Sequence, residues 1–134
     1  MISEHAALAA VVESEPAAAR VLVAYLFGSR ARGEAGPASD VDIGVLLPEP
    51  VASGFAGTGF ALEGALEARL GMPVQVVVLN RAPVDLVHRV LRDGVILVER
   101  DRSARIRFET KVRFEYFDLE PFLRRYRQTE RRSA

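Results

Sequence analysis

Cysteine is absent from the 134 residues, which excludes disulfide frameworks, thiol nucleophiles and thiolate zinc sites. Histidine is almost absent. His5 and His88 are the only two, and no HExxH signature surrounds them. No run approaches the roughly 18 uncharged apolar residues that a membrane-spanning helix needs. No basic segment leading into an apolar core marks the N-terminus as a secretory leader, so a cytoplasmic location is the expectation. Charge of one sign is not in excess either: eighteen basic residues cancel eighteen acidic ones. Without a global positive field, neither a membrane surface nor nucleic acid as a direct substrate is expected. What remains is a chain 49% hydrophobic and 27% charged, the balance of an ordinary globule of about one domain.

The pattern of apolar residues outlines the elements. Ser3 is a helix cap for the alanine-rich segment that follows, and Pro16 closes it. Residues 21–27 form a continuous apolar run of strand length, ending at Gly28. A polar segment from Ser29 to Ser39 leads into a second strand at 41–47, and the glycine-rich stretch 53–59 reads as a loop. Phe60, Leu62, Leu66 and Leu70 predict a helix stopped by Gly71. A third strand at 74–79 precedes a helix that Pro83 opens and Gly94 ends. A fourth strand at 95–98 follows. From Asp101 onward the sequence predicts helix, interrupted near Asp118 because Pro121 is unfavourable inside one. Helices alternating with a few strands give an α/β (α+β) domain with a small sheet.

Residues 101–134 stand apart from residues 1–100. They hold six of the ten aromatics, Phe108, Phe114, Tyr116, Phe117, Phe122 and Tyr126, and an excess of arginine. Two readings of this tail stand: the rings pack it onto a 1–100 core within one domain, or they form a surface for a partner.

The chemistry concentrates between Gly28 and Asp42. A glycine directly after a buried strand lets the backbone turn sharply and approach a ligand. Ser29 is then expected at a helix N-terminus, where free amides favour phosphate, with Arg30 and Arg32 beside it. Asp40 and Asp42 are two apart, so in a strand they share a face. Paired carboxylates of this kind suit divalent cations in phosphoryl or nucleotidyl transfer. A Walker A loop does not fit, because Gly33 is followed by Glu34 and Ala35 rather than lysine and a hydroxyl residue. Gly57-Thr58-Gly59 misses a dinucleotide fingerprint, with Leu62 in the third glycine position.

The string LFGSRARGEAGPASDVDIGVLL resembles the signature of the DNA polymerase β nucleotidyltransferase superfamily, and within it the minimal nucleotidyltransferases (MNT). Those are the antitoxin partners of HEPN ribonuclease toxins. The similarity extends to NRAPVDLVHRVLRDGVILVERD (80–101) and to the aromatic tail. It implies a small mixed β-sheet with helices packed on it, ATP as substrate, and a two-metal Mg2+ site. It also implies transfer of AMP to a tyrosine of a HEPN toxin. By resemblance Gly28 and Ser29 hold phosphates, with Arg30 and Arg32 as further nucleotide contacts, while Asp40 and Asp42 bind metal and carry catalysis. One position departs from the pattern. A third carboxylate usually stands on the next strand, and Gln75 occupies that place here.

Glutamine offers a carbonyl oxygen but neither negative charge nor a basic site. Asp85 is close in sequence, but after Pro83 it reads more simply as a first-turn acid favoured by the helix dipole. Three functions remain open. The chain is an active transferase acting on a HEPN protein, or a nucleotide-binding antitoxin that neutralises its partner sterically, or a small-molecule nucleotidyltransferase. The last is disfavoured because no second domain is available for a small acceptor. Homo- or hetero-oligomers fit either of the first two.

Overall fold

The structure, a computed structural model, describes residues 3–36, 38–51 and 58–133. Helix α1 (Glu4–Ser14) starts as its sequence requires, with the Ser3 hydroxyl accepting from the Ala6 N–H at 3.1 Å. Strands β1 (Val23–Phe27) and β2 (Val41–Leu46) follow. Next come α2 (Thr58–Leu70), β3 (Val74–Val78), α3 (Val84–Asp93) and β4 (Val95–Glu99). The C-terminal helix α4 (Arg102–Ser133) completes the chain. Residues 53–57 of the expected glycine-rich loop lie outside the described residues, while Thr58 and Gly59 already belong to α2.

The four strands form one mixed sheet in the order β3-β2-β1-β4. β1 pairs antiparallel with β2 and β4, and β2 pairs parallel with β3. Alternation along β1 sends its side chains to two cores. Ala24 and Leu26 join Leu8, Val12, Ile43, Leu62 and Leu66 on the α1/α2 side. Val23 and Tyr25 join Leu79, Val87, Val90 and Val112 on the α3/α4 side. The sheet is therefore buried on both faces, which explains why β1 and β2 read as near-continuous apolar runs.

Two expectations fail. No α-helix follows Gly28. The Gly28 carbonyl accepts from Ala31 N at 3.2 Å and Arg32 N at 3.3 Å, closing one isolated turn before the chain heads for β2. Only ten residues separate Ser29 from Asp40, and glycine and proline within them leave no length for a stable helix. Nor is the C-terminal helix interrupted. α4 runs for 32 residues with Pro121 inside it, a span of about 48 Å at 1.5 Å per residue. Proline deprives the Phe117 carbonyl of its usual donor. Around Pro121 and Phe122 the helix is exposed, so water can satisfy that oxygen.

Along α4 some of the tail's rings pack on the core and others stay exposed. Phe108 packs on the α3/α4 core and Val112 is buried in it, while Tyr116 stacks on His88 with ring centroids 3.5 Å apart. Phe114, Phe117, Phe122 and Tyr126 are 62–74% exposed.

Candidate nucleotide and metal site

Register builds the site. Asp42 of β2 lies opposite Phe27 of β1 and opposite Gln75 of β3. Directly opposed residues share a face of the sheet, so Gln75, Asp42 and Phe27 make a row across three strands. Phe27 packs against the α3/α4 core, which places the row on that face. Asp40 precedes β2 by one residue and is exposed. Its charge is felt at Asp42, as the two-residue spacing demands.

Asp42 is partly buried. Loss of water, and then the negative charge of Asp40, push its carboxyl above the ordinary range, against a smaller opposing pull from Arg32. Among the described residues no cation forms an ion pair with this carboxylate, and Arg32 only partly offsets its charge. Gly28 makes the close approach possible: its φ is +73°, and a Cβ placed there would overlap Oδ2 of Asp42 and lie 3.2 Å from Cγ. Only glycine meets both requirements without strain.

The turn after Gly28 is tied down by Arg30. Its guanidinium donates to the Ser39 carbonyl at 2.6 Å and the Asp40 carbonyl at 3.3 Å, and pairs with Glu4. With its side chain only 10% exposed, Arg30 is committed to holding Asp40 in place, and nothing brings it to the open site. Ser39 closes the other end of the segment, its hydroxyl accepting from Gly36 N at 3.0 Å. Arg32 is different. It pairs with Glu34 at 3.0 Å, remains 44% exposed, and lines a cleft of about 390 Å³ with Phe27, Gly28, Leu86, Arg89, Arg92 and Asp93.

Arg89 and Arg92 escape a reading based on the Gly28–Asp42 segment because they lie on α3. A signal was present: with Val87 and Val90 buried in the core, positions 86, 89 and 93 share another helical face. Asp85 sits in the first turn of α3, where its charge complements the helix dipole. Among the described residues, no group of three or more histidine, aspartate or glutamate side chains is placed to hold a metal ion. Gln75 is exposed, and among the described residues no carboxylate joins Asp40 and Asp42 in a group of three. Two carboxylates still fit Mg2+, which favours hard oxygen ligands and is commonly held by one or two carboxylates plus substrate phosphates.

These features belong to a known class. A match to the polymerase beta nucleotidyltransferase family spans residues 10–103, and the chain belongs to that family. Among solved structures, a toxin–antitoxin with AMP-PNP is similar at a TM-score of 0.75 and 23% identity, covering 98% of this chain and 100% of the other. A tri-AMPylated Shewanella oneidensis HEPN toxin in complex with its MNT antitoxin gives a TM-score of 0.64 and 23% identity, over 87% and 86% of the chains. A minimal nucleotidyltransferase is 35% identical with a TM-score of 0.51, over 66% of this chain and 88% of its own. No curated protein sequence matches. Among the described residues no helix is long and apolar enough to cross a membrane.

Proposed function

We propose that the chain is a minimal nucleotidyltransferase that moves AMP from ATP to a tyrosine hydroxyl on a HEPN toxin, and so acts as its antitoxin. The observation that carries this reading is the Asp42 carboxylate, its proton affinity raised by burial and by Asp40, set against the bare backbone of Gly28. Asp40 and Asp42 would hold Mg2+, and Gly28, Ser29 and Arg32 would receive phosphates. Arg30 positions Asp40. When bound, the cation neutralises phosphate charge and polarises the reacting phosphoryl group.

In the transfer, the acceptor oxygen bonds to the α-phosphorus while the bond from that phosphorus to the bridging oxygen breaks. Pyrophosphate leaves with the electron pair. Gln75 has no basic site, so the hydroxyl proton passes to solvent. The acceptor arrives on a protein, and the exposed rings of α4 supply a surface for it. Two similar structures, a HEPN toxin modified by AMP and a toxin–antitoxin with an ATP analogue, support this choice of partner and nucleotide.

A second reading is favoured by Gln75 together with the exposed α4 rings: the chain binds nucleotide but silences its partner by covering it. Incubation with α-labelled ATP, Mg2+ and the toxin encoded alongside separates the two. Label on a toxin tyrosine, lost in Asp42→Asn, supports transfer. Toxin neutralisation that survives Asp42→Asn without label supports steric blocking.

A further inference from the structure

The row Gln75–Asp42–Phe27 has unlike ends. At one end Gln75 is exposed on the edge strand β3, and the Glu63 carboxylate accepts from the neighbouring Val76 N–H at 2.9 Å. At the Phe27 end lies the cleft between β1 and α3, walled by Phe27 and Leu86 and lined by Arg32, Arg89, Arg92 and Asp93. Arg32 is paired with Glu34 and Arg92 with Asp93, so among the described residues Arg89 gives the lining its net positive charge. Arg89 makes no hydrogen bond or ion pair among the described residues. Arg92 is bound to Asp93 through Nε at 2.9 Å and one terminal nitrogen at 2.8 Å. That pairing holds the fork in place and leaves its other terminal nitrogen unused. Asp40 and Asp42 lie immediately across Gly28 and carry the opposite sign.

We infer that this cleft takes the condensed-phosphate end of the nucleotide, and that Arg89 and Arg92 of α3 grip it together with Arg32. The inference rests on the transfer reading above and adds a direction to it. In-line displacement puts the attacking and departing oxygens on opposite sides of phosphorus. With the arginines beyond Phe27, pyrophosphate departs toward α3 and the acceptor approaches from Gln75. Guanidinium suits the task because it stays charged and donates bidentately to phosphate oxygens. A volume of about 390 Å³ lies within the range of small-ligand pockets and has room for a phosphate chain.

Inorganic tripolyphosphate, titrated calorimetrically into the full chain without metal, tests the inference apart from catalysis. Binding is expected in the unsubstituted chain and in Asp40→Asn/Asp42→Asn, where two repelling charges are gone. It should weaken roughly tenfold for each guanidinium removed in Arg89→Ala and Arg92→Ala, and recover partly in Arg89→Lys/Arg92→Lys. Arg89→Glu, a reversal at an exposed residue without a partner, provides a second variant whose fold is checked by circular dichroism. Unchanged tripolyphosphate binding in all of the arginine variants overturns the inference, even if AMP transfer proceeds. Arginine-dependent binding without any transfer supports the cleft and places the failure in the transfer reading. A single-stranded RNA held by the same arginines and not displaced by tripolyphosphate also overturns it.

Discussion

Gly28 and Asp42 share one small volume: the space a side chain would occupy at residue 28 is filled by the carboxylate of residue 42. The contact joins the turn after β1 to the acidic strand β2, and it separates two effects usually confounded in glycine substitutions. Gly28→Ala combines the strain of a left-handed backbone, about 1–2 kcal/mol, with displacement of Asp42. Gly33 has the same φ of +73° and nothing within 4 Å of its missing Cβ, so Gly33→Ala carries the strain alone. Denaturant unfolding should show a loss in both, larger in Gly28→Ala. Only Gly28→Ala should lose Mg2+-dependent nucleotide binding.

Asp42 is kept at a cost to stability. Burial and Asp40 raise its affinity for a proton, so the folded state favours the neutral form. Stability from this group is full below the unfolded carboxyl range and lost as pH rises through the raised folded value. At pH 7 Asp42→Asn should therefore melt above the unsubstituted chain, with the advantage shrinking in acid. Millimolar Mg2+ with a non-hydrolysable ATP analogue should reverse the order by stabilising only the chain that binds it.

Gln75 limits the chemistry if the acceptor approaches along β3. A carboxylate at this register position faces Asp42 across the parallel pair and would add both a metal ligand and a proton acceptor. Gln75→Asp should raise the transfer rate by about 100-fold or more, within the 10²–10⁴ range attributed to a general base. Label incorporation at saturating ATP measures it.

Tyr25 anchors α4 to the sheet. Its hydroxyl donates to Glu109 at 2.7 Å, and Arg105 reaches the same carboxylate at 3.1 Å. Burial alone would raise the Glu109 carboxyl, but the bonds from Tyr25 and Arg105 outweigh it and hold it below the usual range. Its contribution is present above the unfolded glutamate value and lost as pH falls through the folded one. Tyr25 shifts the other way, upward through burial and then Glu109, so its contribution holds below the ordinary phenol range and disappears in strong base. Tyr25→Phe should cost about 1–3 kcal/mol and flatten the alkaline loss.

Phe114 and Phe117 should matter to a partner and not to the fold. At 69% and 74% exposure, Phe114→Asp and Phe117→Asp should leave the melting temperature within about 2 °C, since exposed sites away from packing seldom exceed 0.5 kcal/mol. Co-purification with the toxin should fall by at least tenfold, because aromatic anchors dominate interfaces.

Much of the architecture was legible because local signals and packing agree. Ser3, Gly71 and Gly94 mark the helix ends expected of them, and the apolar runs fall on β1 to β4 within a residue or two. The Asp40–Asp42 spacing placed two carboxylates at the start of β2, an interior strand. Three features were not legible, each for a tertiary reason. A single closed turn replaces the helix after Gly28, because the chain must return to β2. Arg30 is drawn inward by the carbonyls of Ser39 and Asp40, a use that its neighbour Arg32 does not share. Arg89 and Arg92 line the cleft beside Gly28 only because β4 pairs with β1 and brings α3 alongside Phe27.

The most direct measurement is calorimetric titration of a non-hydrolysable ATP analogue, with and without Mg2+, into the unsubstituted chain and Asp40→Asn/Asp42→Asn. The account expects Mg2+-dependent binding that weakens by about 100-fold when both carboxylates become amides, as two lost charge-assisted contacts imply. Equal affinity in the two proteins, or affinity indifferent to Mg2+, would contradict it.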